Sequence, residues 1–154
     1  FDPATLLATD AEPLRACGLS APKQTPMKTL AAAILDGSLD LKRVKRLADE
    51  EARAHLTAIK GIGPWTADIY LMSSLGRADI WPVGDVALQA AIARALKLRK
   101  RPNEKAMEKI AKSWRPWRTI AARIFWIHED GLRREKREAE ARAKAAKKKK
   151  KEKS

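Results

Sequence analysis

Two short stretches hold residues whose types and spacing could do chemistry. The first is Gly61-Ile62-Gly63-Pro64-Trp65-Thr66. Gly61 and Gly63 carry no Cβ, so the backbone can turn sharply and come close to another surface. Pro64 suits the first position of a helix, where its missing N–H is not needed. The start of that helix directs backbone N–H groups outward, with the positive end of the dipole behind them. Such a surface takes a phosphate without a base-reading side chain. A plain glycine turn between two helices would use the same residues. The second stretch is Val83-Gly84-Asp85-Val86. Asp85 stands where a helix N-cap belongs, and capping alone accounts for an aspartate there.

Helices must position both stretches. Asp10 is placed to cap a short helix through Leu14, closed by Gly18. Ser20 is placed to cap a second, with Leu30, Ala31, Ile34 and Leu35 on one face. Pro22 fits its start, and Pro26 is expected to kink or delay it. Asp40 opens a short segment with Leu41, Val44 and Leu47 at helical spacing. Asp49 is read as the cap of Glu50–Ala58. After the glycine turn, Trp65–Leu75 is the most apolar helix, with Ile69, Met72 and Leu75 on its stripe. Asp85 begins a helix to about Leu96, Lys97–Arg101 is a basic loop, and Pro102-Asn103 introduces a helix to about Trp114. Pro116 opens the last packed helix, with Ile120, Ile124 and Ile127 expected to face a core. No alternating strand pattern stands out, so the fold class is all-α.

The chain of 154 residues has a formal net charge of +14 and a pI near 10.2, which point to a polyanionic partner. Residues 132–154 hold twelve Lys and Arg against four Glu, a net +8, and the remainder is still basic. This tail reads as a helix extension, with Lys147–Lys151 self-repelling and solvated. It is a solubilising tail, a nonspecific DNA-binding arm or, less strongly, a nuclear-localisation signal. Cys17 is the single cysteine, which excludes an internal disulfide, a four-cysteine zinc site and a Cys-ligated iron–sulfur cluster. His55 and His128 are too far apart in the sequence to suggest a metal site. With no signal peptide or long apolar run, the reading is an intracellular protein away from membranes, cytoplasmic and nucleoid-associated in a bacterium, nuclear in a eukaryote. The first residue is Phe1, as in a fragment.

Three features together carry a resemblance. An apolar helix leads into the Gly61–Gly63 turn and Pro-Trp-Thr-Ala. One helix later comes Asp85. Further on stands Ser113-Trp114-Arg115-Pro116-Trp117-Arg118-Thr119, then Ala121-Ala122 and Phe125-Trp126. The chain resembles the helix-hairpin-helix (HhH-GPD) superfamily of DNA glycosylases, in particular the bacterial 3-methyladenine DNA glycosylase II family. The resemblance covers about Phe1–Gly131, a domain lacking its N-terminal helices, followed by the tail of residues 132–154. The missing helices would carry the side chain that wedges the duplex open, and the Pro26 region departs from the family pattern.

The resemblance implies base-excision repair of double-stranded DNA by a protein acting as a monomer. An alkylated purine of the 3-methyladenine type would be flipped out and its N-glycosidic bond hydrolysed. Asp85 matches the catalytic aspartate, whose carboxylate stabilises positive charge growing on the sugar or orients water. Asp68 and Asp79 do not match it and are read as helix-surface and loop residues. Trp65 stands where strand-cleaving relatives carry a Schiff-base lysine, and Lys60 lies on the wrong side of the turn. A monofunctional enzyme follows. Trp65, Ile69 and Trp126 would form the base pocket, an indole attracting a cationic base by about 0.5–2 kcal/mol. Trp81, Trp114 and Trp117 are read as packing residues. Gly61, Gly63 and Thr66 would hold a phosphate. No cofactor is required, and carbonyls near Ile59 and Ile62 would bind a structural Na+ or K+. Other readings are an inactive truncated DNA-binding module and a glycosylase for a different damaged base.

Overall fold

The computed structural model describes the backbone of residues 2–151 and the side chains of residues 2–142 and 144. Phe1, residues 152–154 and the side chains of the Lys147–Lys151 run lie outside the described residues. The fold is all-α. Nine helices and one 3₁₀ turn are formed among the described residues: α1 (Pro3–Ala8), α2 (Ala11–Ala16), α3 (Ala21–Leu35), α4 (Leu41–Arg46), α5 (Asp49–Thr57), α6 (Pro64–Ser73), α7 (Val86–Ala95), α8 (Glu104–Ala111), the 3₁₀ turn Lys112–Trp114, and α9 (Arg118–Lys151). No helix among them is long and apolar enough to cross a membrane.

The chain divides into two compact units, one ending at Pro82 and one beginning at Val83. The boundary expected between residues 131 and 132 falls inside α9, which passes it without a break. In the first unit α3 packs on α1 and α2, and α5 packs on α4 and α6. Leu39, Val44, Ala52, Leu56, Ala67, Leu71 and Met72 are buried there. In the second unit α7 packs on α9, and Leu88, Ile92, Met107, Ala111 and Ala122 are buried.

Local chemistry explains most helix starts. Asp40 Oδ1 accepts from the amides of Lys42 (2.8 Å) and Arg43 (3.0 Å), so α4 is capped as expected. These bonds, the Arg43 amide foremost, hold its carboxyl below the ordinary aspartate value. Asn103 caps α8 through the Ala106 amide at 3.0 Å. Asp10 and Ser20 occupy N-cap positions without a side-chain cap bond.

Five expectations are corrected. Asp49 is the first residue of α5 and not its cap; its carboxylate meets Arg77 Nη1 at 2.6 Å. The same guanidinium donates to the Val44 carbonyl at 2.8 Å, so Arg77 joins the end of α4 to the start of α5. Pro26 does not delay α3, which begins at Ala21 and runs through it. Its missing N–H would have bonded Pro22 in the opening turn, so one bond is lost and the helix continues. The apolar stripes also sit differently. Leu35 is exposed, and α6 turns Ala67, Asp68, Leu71 and Met72 inward while Ile69 and Leu75 are half-buried. Along α9, Ile120, Ile124 and Ile127 face solvent, 48, 59 and 72% exposed, and Thr119, Ala122 and Glu129 are buried instead.

Candidate functional site

The glycine turn joins α5 to α6 as a hairpin. The Ile62 amide donates to the Ile59 carbonyl at 3.0 Å, which closes the turn. Gly61 has φ +95°, and a Cβ built on it would lie 3.0 Å from Pro26 Cβ. Glycine is therefore required there twice, by backbone conformation and by space. Pro26 is the wall against which the hairpin turns. Ile62 and Thr66 border a small apolar pocket shared with Leu30 and Ile34, which roots the hairpin on α3.

Gly63 is the N-cap of α6 at φ −84°, with open space where a Cβ would stand and no side chain capping the helix. Pro64 follows at the first turn. Gly61, Gly63, Pro64, Trp65 and Thr66 are all exposed, Trp65 by 50%. The surface is a helix N-terminus led by Gly61 and Gly63 with the Trp65 indole beside it, and its backbone N–H groups can take an anion. Lys60 is exposed on the α5 side of the turn.

One acidic residue near the hairpin is corrected. Asp68 is not on the helix surface: it is 4% exposed, and Arg53 Nε reaches its Oδ1 at 2.6 Å. Arg53 also holds Glu50 at 2.6 Å. Burial works against the Arg53 charge, but the hydrogen bonds to Asp68 and Glu50 outweigh it and raise its pKa above the ordinary value. This pair ties α5 to α6 across the hairpin. Asp79 stands in a turn, as expected.

In the second unit, Asp85 is the N-cap of α7 and only 8% exposed. Its Oδ1 accepts from the Leu88 amide at 2.6 Å and from the Trp126 indole Nε1–H at 3.2 Å. Two donors, one from α7 and one from α9, thus aim at a single carboxylate oxygen. Gln89 Nε2 donates to the Val83 carbonyl at 2.8 Å, fixing the turn that delivers Asp85. Trp126, expected only to line a base pocket, is half-buried beside the carboxylate. Trp114 lies 5.2 Å from Phe125 between ring centres, a packing contact. Trp81 is buried, as a packing residue should be, whereas Trp117 is 58% exposed. Trp65 and Ile69 belong to the first unit, and Asp85 and Trp126 to the second. Among the described residues, no group of His, Cys, Asp or Glu is placed to hold a metal ion.

No family model matches the chain. It is 34% identical over 134 residues to the alkylbase DNA glycosidase-like protein of Schizosaccharomyces pombe, covering 84% of this chain and 63% of that protein. It is 37% identical over 118 residues to DNA-3-methyladenine glycosylase 1 of the same yeast, covering 76% of this chain and 52% of that one. The solved structure of the S. pombe 3-methyladenine DNA glycosylase with abasic DNA superposes with a TM-score of 0.75 at 35% identity, over 80% of this chain and 61% of that chain. The chain therefore spans 52–63% of the length of these relatives. An all-α fold with a glycine hairpin between α5 and α6 and a capping aspartate opening α7 is the HhH-GPD glycosylase fold. Within that class, this chain is a homologue of the DNA-3-methyladenine glycosylases.

Proposed function

We propose that the chain is the core of a monofunctional DNA glycosylase that removes alkylated purines of the 3-methyladenine type during base-excision repair. The observation that carries this reading is the Asp85 carboxylate, nearly buried at the start of α7 and held by the Leu88 amide and the Trp126 indole. The similarity to named 3-methyladenine glycosylases supports it.

Hydrolysis breaks the bond between the sugar C1′ and the base nitrogen, the electron pair leaving with the base. Positive charge grows on the sugar, and a fixed carboxylate stabilises it. Water adds to C1′ and gives up a proton. The two donors to Asp85 hold the carboxylate in place, so little reorganisation is needed as charge develops. Lysine is absent from the Trp65 position, so the strand is left intact at an abasic site. The exposed Trp65 indole offers a face to a flipped cationic base. Gly61, Gly63 and Thr66 contact a phosphate of duplex DNA at the head of α6. The Ile59 carbonyl accepts the Ile62 amide and keeps a second lone pair, so it suits a structural Na+ or K+ shared with the Ile62 carbonyl.

Free-base release from methylated duplex tests this reading. The chain is expected to release methyladenine, with strand breaks only after alkali. Asp85→Asn is expected to slow the single-turnover rate by about 100-fold or more, as loss of a charge-stabilising group does. No release, with duplex binding retained, would leave an inactive DNA-binding module. Release of another damaged base in preference would reassign the substrate.

A further inference from the structure

Residues 133–144 lie in the middle of α9. From Arg133 to Lys144 every described side chain is exposed, six cations against three glutamates. Half of those cations are engaged. Arg133 pairs with the buried Glu129 at 3.0 Å, Arg142 with Glu138 at 3.8 Å and Lys136 with Glu140 at 4.0 Å. Arg134, Arg137 and Lys144 have no ion-pair partner among the described residues. They recur at i, i+3 and i+10, which puts them on one side of the helix. Lys148 and Lys151 continue that spacing in the sequence. Glu138 and Glu140 meet Arg142 and Lys136 at 3.8 and 4.0 Å and border the stripe one turn from Arg134 and Lys144, and Glu135 lies on the side of Glu138 and Arg142. With six cations against three glutamates, the stripe keeps a net positive charge.

We propose that this stripe is a sequence-independent arm for the phosphates of duplex DNA, outside the hairpin contact. This rests on the glycosylase reading for the identity of the polyanion. From Arg134 to Lys144 the helix rises about 15 Å, a length along which duplex DNA presents about nine charges. The apolar residues between the charges are alanines alone. A membrane-surface helix needs a broad apolar face of larger side chains, and residues 133–144 have none. The arm raises affinity for undamaged and damaged duplex alike and takes no part in bond cleavage.

The test compares the whole chain with the triple variant Arg134→Gln, Arg137→Gln, Lys144→Gln, glutamine being a comparable helix former. Binding to an undamaged duplex is followed by fluorescence anisotropy from 50 to 400 mM salt. Base release from methylated duplex is measured in single turnover at saturating protein. The log–log salt slope should become shallower by about 2 to 3, near 0.9 for each phosphate that is no longer neutralised. Affinity should fall by more than about tenfold at the lowest salt and little at the highest. The saturating release rate should be unchanged. The charge-keeping set Arg134→Lys, Arg137→Lys, Lys144→Arg should restore the slope. An unaltered slope overturns the proposal. So does an unaltered slope accompanied by weakened binding to an acidic polypeptide or to anionic vesicles, which would assign the stripe to that partner. A shallower slope in a chain that releases no methylated base upholds the arm and rejects the glycosylase reading, so the two failures are distinct.

Discussion

The Leu88 amide and the Trp126 indole converge on one oxygen of Asp85. A hydrogen bond to a charged group is worth about 1.5–3 kcal/mol, enough to hold a carboxylate in one orientation. Trp126→Phe keeps an aromatic ring but removes the N–H. It is expected to lower the single-turnover release rate by about 10- to 100-fold with duplex affinity little changed, read by base release at saturation beside anisotropy. An unchanged rate would confine Trp126 to contact with the base. Asp85 is legible in the sequence because a capping residue announces itself from its neighbours: Gly84 before it, an apolar helix after it. The Trp126 bond is not legible, since the partners stand 41 residues apart and meet only when α7 packs on α9. Asp68 teaches the same point from the other side. Its position beside apolar residues on α6 gives no sign of Arg53, 15 residues earlier, which makes its burial tolerable.

At the scale of elements, the hairpin separates two glycines that look alike in the sequence. Gly61 sits at positive φ with Pro26 against it, whereas Gly63 has ordinary φ and open space. Gly61→Ala should therefore cost about 1–3 kcal/mol of stability. Gly63→Ala should cost under about 1 kcal/mol, the difference between glycine and alanine at an N-cap, while still weakening duplex affinity by crowding the phosphate proposed to bind there. Thermal unfolding and anisotropy on the two variants check this contrast, and equal melting losses would contradict it. The helices themselves are largely legible, because caps, prolines and glycines punctuate them locally. Pro26 is misread when taken alone: whether a proline breaks a helix depends on how near the start it falls, and the surface it offers to Gly61 lies 35 positions further on.

Across the whole molecule, periodicity says that a helix has an apolar face and not that something covers it. Ile120, Ile124 and Ile127 form such a face on α9 and stand in solvent, next to the exposed Trp117. Ile124→Gln should change the stability of this chain by less than about 0.5 kcal/mol, whereas Ile92→Ala, at a fully buried position, should cost about 2–5 kcal/mol. Urea unfolding of both variants distinguishes them, and a large loss at Ile124 would show that its face is covered in solution. The charge of the tail is legible from composition, but its stripe emerges only after the local pairs with Glu129, Glu138 and Glu140 are subtracted. One further consequence lies in the continuity of α9, a single helix carrying both Trp126 and the Arg134–Lys144 stripe. The azimuth of the stripe about the helix axis is counted in residues. Removing one residue between them swings it by about 100° and draws it in by about 1.5 Å. Removing seven returns it to within about 20° of its first bearing and shortens the reach by about 10 Å. The tail is thus a graduated shaft, and only stretches close to whole turns, about seven or about eleven residues, can be gained or lost without turning its charges away.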